Sequence, residues 1–354
     1  MKILVSIEHP AWVHQFKNII MKLNNRGDEV LVLAIDKDHS ARLLDVFGIR
    51  YSVMARTTGK SIPGKSWLFV RLCVSYTLKA LSLKPDIFIG RASPMMAVAA
   101  FFARRPHLVY EDTEVSKFSL SICRMLSTKI LTPRSFLTDL GHKQERVDTF
   151  KELFYLHPNC FAPDSGLLRG LCFDPDEEYI VLRFVAWNAS HDIGKKGLSA
   201  DEKIKYVRRL SELCRVYVSS EAPLTHELEP YAIPLPYEYV HHALAFARLC
   251  ISEGASMASE AAILGVHAIY INDIVSGTTN ELCEHYGLMF NYQHTPDKYE
   301  RAFVKALELL QMDDIRVVGQ KKRMAMLQDK ADISDLYLKE IDELANPDRI
   351  QPKR

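Results

Sequence analysis

No CxxC pair occurs anywhere in this 354-residue chain. Its seven cysteines, Cys73, Cys123, Cys160, Cys172, Cys214, Cys250 and Cys283, are odd in number and sit mostly inside apolar runs, which argues against structural zinc and a disulfide framework and fits a reducing cytoplasm. The chain also lacks an excess of charge. A formal net charge of +1 implies no charge-driven partner such as nucleic acid, and 48% hydrophobic with 25% charged residues is the balance of a soluble globular protein. Long hydrophobic runs are missing too: the longest apolar-rich patch, Pro94 to Ala103, is far too short to cross a bilayer. Met1 to Ile7 enters a strand-like run and meets charged Glu8 without the apolar region of a signal peptide, so a cytoplasmic protein, mature from its first residue, is expected. No tandem repeat is present.

What is present is alternation. Apolar strands at 2–7, 29–35, 50–54, 86–90, 107–111 and 129–132 alternate with amphipathic helices near 13–25, 40–47, 67–83, 94–103 and 116–126. Short connections between such elements imply a parallel sheet covered on both faces. Residues 151–178 break the pattern with His157-Pro158, Ala162-Pro163-Asp164 and Phe173-Asp174-Pro175-Asp176. Alternation then resumes: strands at 179–186, 214–219, 231–235, 249–252 and 267–272, and helices near 201–212, 238–247 and 256–264. The expected organisation is two doubly wound, Rossmann-like α/β domains, 1–155 and 156–330, facing a cleft, with a helical tail, 331–354, crossing back to the first.

The segment from Cys250 to Asn272 carries the most chemistry. It reads as an apolar strand, a small-residue turn, a short Ala-rich helix and a second apolar strand. Unpaired N–H groups at Gly254, Ala255, Ser256 and Met257, with the positive end of the helix dipole, would face a phosphate, while Glu260 would accept from a sugar hydroxyl. The plainer reading is a common strand–turn–helix unit in which Glu260 only favours the dipole. The order resembles the nucleotide-sugar site of GT-B glycosyltransferases, where such a turn meets the diphosphate and a helix Glu takes the ribose.

The chain resembles, over most of its length, an uncharacterised family known as domain of unknown function 354, whose members look like GT-B proteins. The resemblance rests on Glu8-His9-Pro10, His14 to Asn18, Asp36-Lys37-Asp38, Ser93-Pro94, Glu111 to Glu114 and Leu131-Thr132-Pro133. It continues through Lys151-Glu152-Leu153, Leu156-His157-Pro158, Arg183 to Trp187, Ser190-His191-Asp192 and Glu253 to Glu260. It implies the GT-B architecture without a substrate. More distantly, the first loop is similar in position to the glycine-rich loop of the peptidoglycan N-acetylglucosaminyltransferase, yet Pro10 and Trp12 replace glycines and suit phosphate less well. The non-hydrolysing UDP-N-acetylglucosamine 2-epimerase is similar in general fold, and Glu111 falls where one of its acids would be. Residues 89–93 and 121–124 lack the other acids, which favours transfer over epimerisation.

A transferase needs a base for the acceptor hydroxyl and dipolar or positive support for the leaving diphosphate. His14 is the first candidate base, with His9 behind it; a packing histidine is the alternative. Glu111, Asp112 and Glu114 follow an apolar strand and would serve as base, sugar ligand or metal ligand, unless Asp112 or Thr113 caps the next helix. Arg183, inside a strand, needs a carboxylate or ligand partner, and Ser190, His191 or Lys195 would meet the diphosphate. Tyr237 to His242 is a possible base-recognition loop, but adjacent His241 and His242 diverge on a helix, so no metal is expected. Residues 273–280 read as a polar loop whose Ser276, Thr278 or Asn280 would touch the donor sugar. Trp67 to Lys84 invites an interfacial-helix reading, though a buried crossover helix is expected. The resulting expectation is a GT-B glycosyltransferase using a nucleotide-diphosphate sugar, such as a UDP-sugar, with no tightly bound cofactor. A nucleotide-sugar epimerase or hydrolase, or a non-catalytic binding protein, is the alternative.

Overall fold

The computed structural model describes residues 1–37, 39–56, 62–186 and 197–346. They form two compact units, Met1–Cys160 together with the segment from Ala331 onward, and Phe161–Lys330. Ser190 and His191 lie outside the described residues, as do Asp38, Lys195 and Lys196.

Unit 1 begins β1 (Lys2–Ile7), α1 (Pro10–Asn25), β2 (Glu29–Asp36), α2 (Ser40–Val46), β3 (Tyr51–Arg56) and α3 (Ile62–Leu83). It continues β4 (Ile87–Gly90), α4 (Pro94–Ala103), β5 (His107–Tyr110), α5 (Lys117–Leu126), β6 (Lys129–Pro133), β7 (Gln144–Val147) and α6 (Leu153–Leu156). The seven strands lie in the order β3-β2-β1-β4-β5-β6-β7, each neighbour parallel. β4 and β5 are buried throughout, which is why they read as unbroken apolar runs. The direction of strand addition reverses beside β1, so the crossovers change faces between β1 and β4 and their carboxyl ends diverge.

Unit 2 holds α7 (Ser165–Gly170), β8 (Tyr179–Phe184), α8 (Ala200–Ser211), β9 (Arg215–Ser220), α9 (Val240–Phe246), β10 (Leu249–Ser252) and α10 (Ala255–Ile263). Then come β11 (Ala268–Ile271), α11 (Gly277–Glu284), β12 (Met289–Tyr292), α12 (Lys298–Leu310) and α13 (Ile315–Asp329). Its parallel sheet has the order β12-β11-β10-β8-β9, with the reversal between β8 and β10. Ile180, Leu182, Ile251 and Ile269 from the strands pack with Val207, Leu210, Phe303 and Ala306 from α8 and α12.

Two sequence expectations fail here. Residues 231–235 form no strand: Glu229–Tyr231 is a 3-10 turn, and only an isolated bridge joins Ala232 to Val218. Pro230, Pro234 and Pro236 remove the donors a ladder needs. Gly277 to Asn280 is the first turn of α11 rather than loop, because Ser276 accepts the Thr279 N–H at 3.2 Å and caps the helix. Two strands add to those expected: β7, mostly polar and at the sheet edge, and β12.

The chain returns to unit 1 as α14 (Ile333–Ala345), which packs on α1, α6, β4 and β5. Ile333, Tyr337 and Ile341 are fully buried, at the four-residue spacing of one helix face. The Tyr337 ring lies 5.4 Å from Phe154 and 6.0 Å from Phe16, and its hydroxyl donates to the Leu108 carbonyl at 3.3 Å. Tyr337→Ala is therefore expected to destabilise unit 1 by about 3–5 kcal/mol, the usual cost of an aromatic-to-alanine cavity, measured by urea unfolding.

Candidate functional site

In unit 2, β10 ends at Ser252 and α10 starts three residues on. Gly254 is the N-cap, and a Cβ there would sit 3.3 Å from Val185 Cγ1, so glycine allows the turn to lie against the end of β8. Glu253 fixes the turn. Its Oε2 accepts from the Val185 N–H at 3.0 Å, its Oε1 from the Tyr299 hydroxyl at 2.6 Å, and its carbonyl from Asn272 Nδ2 at 2.8 Å. Burial, then the Glu253 charge and hydrogen bond, raise the Tyr299 phenol far above its ordinary value, so it stays a donor.

The turn donates with fewer groups than the sequence implies. Gly254 N–H is taken by Ser252 Oγ at 3.0 Å, and that hydroxyl donates back to the Gly254 carbonyl at 2.6 Å. No side chain among the described residues caps α10, so its first donors are Ala255, Ser256 and Met257, with Ser256 exposed. The other end of α10 is satisfied. Gln320 Nε2 donates to the Leu264 carbonyl at 2.8 Å and Arg323 Nε to the Ile263 carbonyl at 2.9 Å. Close packing permits this: Gly265 has φ +82°, and a Cβ on Gly319 of α13 would lie 2.1 Å from the Gly265 carbonyl oxygen.

Glu260 is not idle. Its Oε1 sits 3.1 Å from His241 Nε2, and His241 is 6% exposed. The Arg183 guanidinium finds the partners the sequence demanded on β9 and just beyond: Ser219 Oγ at 2.8 Å and Glu221 Oε1 at 2.9 Å, while Glu221 Oε2 accepts from the Ala186 N–H at 3.1 Å. Ser276 caps α11 and Thr278 is buried. A cavity of about 780 Å³ opens beside α8 and α12, lined by Leu198, Lys205, Tyr206, Arg209, Asp273 and Tyr299 among others.

In unit 1, Glu111 and Asp112 follow β5 and meet Arg91, which follows β4. Arg91 Nη2 contacts Glu111 Oε1 and Asp112 Oδ1, and donates to Thr113 Oγ1 at 2.8 Å. Glu111 also accepts the N–H groups of Ala92 at 3.1 Å and of Asp112 and Thr113 at 3.0 Å. Lys151 Nζ lies 3.0 Å from Asp112 Oδ2 and 3.3 Å from Glu152 Oε1. All five charged groups are buried. Burial works to raise the Asp112 pKa, but the Arg91 and Lys151 charges outweigh it and hold the carboxyl well below its usual range. Burial likewise opposes the Lys151 charge, and Asp112 with Glu152 reverses the effect and raises that pKa. Glu114 turns away to accept from Leu137 N–H at 3.4 Å, and Ser116 is the N-cap residue of α5 in place of Asp112 or Thr113.

His14 on α1 lies 5.8 Å, ring to ring, from both Phe47 and Tyr155. His9 is the N-cap of α1, its Nδ1 accepting from the Ala11 N–H at 3.2 Å. A residue that sequence reasoning did not weigh stands between the diverging strand ends: Glu8, immediately after β1. Its Oε1 accepts from Ser6 Oγ at 2.8 Å and from Ser93 Oγ, the α4 N-cap, on the other side of the reversal. Burial raises the Glu8 pKa above the usual carboxyl value against the opposing effect of the Ser93 and Ser6 bonds. No group of three or more His, Cys, Asp or Glu among the described residues has metal-ligand geometry.

Comparison with solved structures bears on the fold alone. S. aureus MnaA, in a co-structure with UDP, is similar at TM-score 0.69 and 13% identity over 99% of each chain. The UDP-GlcNAc 2-epimerase of Neisseria meningitidis bound to UDP-GlcNAc gives 0.67 at 11% identity, over 96% of this chain and 100% of that one. The spinosyn forosaminyltransferase SpnP gives 0.67 at 12% identity, over 98% and 99%. The fold is thus the GT-B-like one shared by nucleotide-sugar epimerases and glycosyltransferases. No curated protein matches the sequence itself. One family profile does, over residues 1–334, and the chain accordingly belongs to the family described as "Protein of unknown function (DUF354)".

Proposed function

We propose that this protein is a glycosyltransferase that binds a nucleotide-diphosphate sugar at the β10–α10 turn and transfers the sugar to an acceptor hydroxyl. The observation that carries the reading is the polarity of α10. Its C-terminal carbonyls are bonded by Gln320 and Arg323, while its N-terminal donors at Ala255, Ser256 and Met257 open at the carboxyl end of β10, beside the strand reversal. Aligned N–H groups and the helix dipole there stabilise a diphosphate, and do so more as it leaves with growing charge. The named relatives MnaA and the Neisseria epimerase, with UDP and UDP-GlcNAc in their structures, support a uridine nucleotide as first probe. Glu260 takes the ribose, exchanging or sharing its His241 contact, and Arg183 keeps donors beyond those used by Ser219 and Glu221 for a phosphate oxygen.

For acceptor activation, Glu8 is a better base than the residues first considered. A carboxylate whose pKa is raised binds a proton more readily near neutral pH, whereas Asp112, held ionised by Arg91 and Lys151, gives up that capacity. Glu111 and Asp112 then serve by holding Arg91 and the β5 end in place, and His14 remains the second candidate base. The same engagement of the β5 acids disfavours epimerisation, which needs acids free to exchange protons at a sugar carbon. Epimerase or hydrolase activity would appear without an acceptor.

Substitutions at four positions test this. Ser256→Asp adds a first-turn acid that suits the helix and repels an anion, and Glu260→Ala removes the ribose acceptor; each is expected to weaken UDP binding about tenfold or more by calorimetry, with unchanged affinity removing the turn from the reading. Glu8→Gln is expected to lower turnover by about 100-fold or more at unchanged UDP affinity. Because the folded pKa of Glu8 is raised, its stabilisation is complete below the unfolded value and is lost as pH rises through the folded one. The Glu8→Gln protein should therefore gain in melting temperature relative to wild type as pH rises. Lys151→Met leaves Asp112 and Glu152 buried with less compensation and is expected to cost about 3–5 kcal/mol in urea unfolding, with UDP affinity retained.

A further inference from the structure

A helix that covers a sheet ordinarily turns a polar face to water. α3, α4 and α5 pack side by side and bury Leu72, Tyr76 and Ala80, Met96 and Ala100, and Leu120 and Cys123 against the sheet. The expectation of a buried crossover helix thus holds for the inner side of α3 alone. Its outer side is an apolar stripe: Trp67, Val70, Val74, Leu78 and Leu81, at three- and four-residue spacing, are 71%, 52%, 53%, 63% and 48% exposed. Phe101 and Phe102 extend the face on α4, and Phe118 and Met125 on α5, each more than half exposed. The Phe69 and Phe118 rings meet at 5.7 Å and join α3 to α5. Every exposed Trp and Phe among the described residues lies on this face. Single exposed apolar residues need no explanation, but a contiguous aromatic patch does.

Charge says what covers it. The three helices contain no Asp or Glu, while Arg71, Lys79, Lys117 and Arg124 are exposed among the apolar residues, and exposed Lys84, Arg104 and Arg105 follow the ends of α3 and α4. No helix among the described residues is long and apolar enough to cross a membrane. We propose that the α3–α4–α5 face docks unit 1 on an anionic phospholipid surface, its aromatic and aliphatic side chains entering the headgroup–acyl boundary and its cations pairing with lipid phosphates. Apolar area and cationic attraction are the two contributions that hold a protein on, rather than through, a bilayer. A second copy of this chain fits less well, because a two-fold interface would set this acid-free face against itself and oppose cation to cation.

The test is flotation of the full-length protein with phosphatidylcholine vesicles, with and without phosphatidylglycerol. The protein is expected to float with anionic vesicles, weakly with neutral ones, and less as salt rises. The double variant Trp67→Ser/Phe102→Ser should lower partitioning by about tenfold or more. Arg71→Glu/Lys79→Glu should remove the preference for anionic vesicles, and Met324→Ser, an exposed apolar residue of unit 2, should change nothing. Thermal melts check folding; should the first double variant melt early, Phe101→Ser replaces it. Absence of flotation, or equal loss in Met324→Ser, overturns the proposal. So does self-association in sedimentation velocity that the aromatic variants abolish while vesicle binding is absent. These readouts involve no nucleotide, so they stand or fall separately from the transferase reading.

Discussion

Parallel strands are joined by crossovers, and in each unit the crossovers change faces beside the first strand. The direction of strand addition therefore reverses between β1 and β4 and between β8 and β10, the positions outside whose carboxyl ends open α/β sheets bind ligands. Backbone geometry alone decides the reversal. Glu8 with Ser93 in unit 1 and the Glu253–Gly254 turn in unit 2 follow these strand ends.

The two positions are equipped differently. In unit 2 the protein satisfies one end of α10 with Gln320 and Arg323, while no side chain among the described residues caps the other, so the helix presents a positive pole there. Glu253, just after β10, makes that pole rigid by tying it to the ends of β8 and β11 and to α12 through Val185, Asn272 and Tyr299. In unit 1 the charges are instead closed on one another: Arg91 and Lys151 neutralise Glu111, Asp112 and Glu152 in a buried cluster. Such a cluster is costly to break and poor at exchanging protons. Among the described residues Glu8 is held instead by two serine hydroxyls, and burial raises its basicity.

Much of the fold was legible because strands buried on both faces spell themselves as apolar runs, as Ile87 to Gly90 and Leu249 to Ser252 do. The small-residue turn before α10 was legible for a similar reason, being wholly local. What stayed hidden depended on distant partners. Glu8 draws its environment from Ser93, 85 positions away, and Arg183 finds Glu221 38 positions on. Arg91 read only as the absence of an acid, whereas it is the cation that Glu111 and Asp112 share. The outer face of α3 was similarly ambiguous, because its apolar residues suit burial and a lipid surface equally until exposure separates them.

The most direct test of the account is a titration of UDP into protein carrying ¹⁵N-labelled alanine, serine and methionine, following the backbone amide resonances. Binding at the α10 pole predicts saturable shifts at Ala255, Ser256 and Met257, with the Gly254 donor left bonded to Ser252. Stationary resonances at all three with UDP bound elsewhere, or no binding at all, would contradict it.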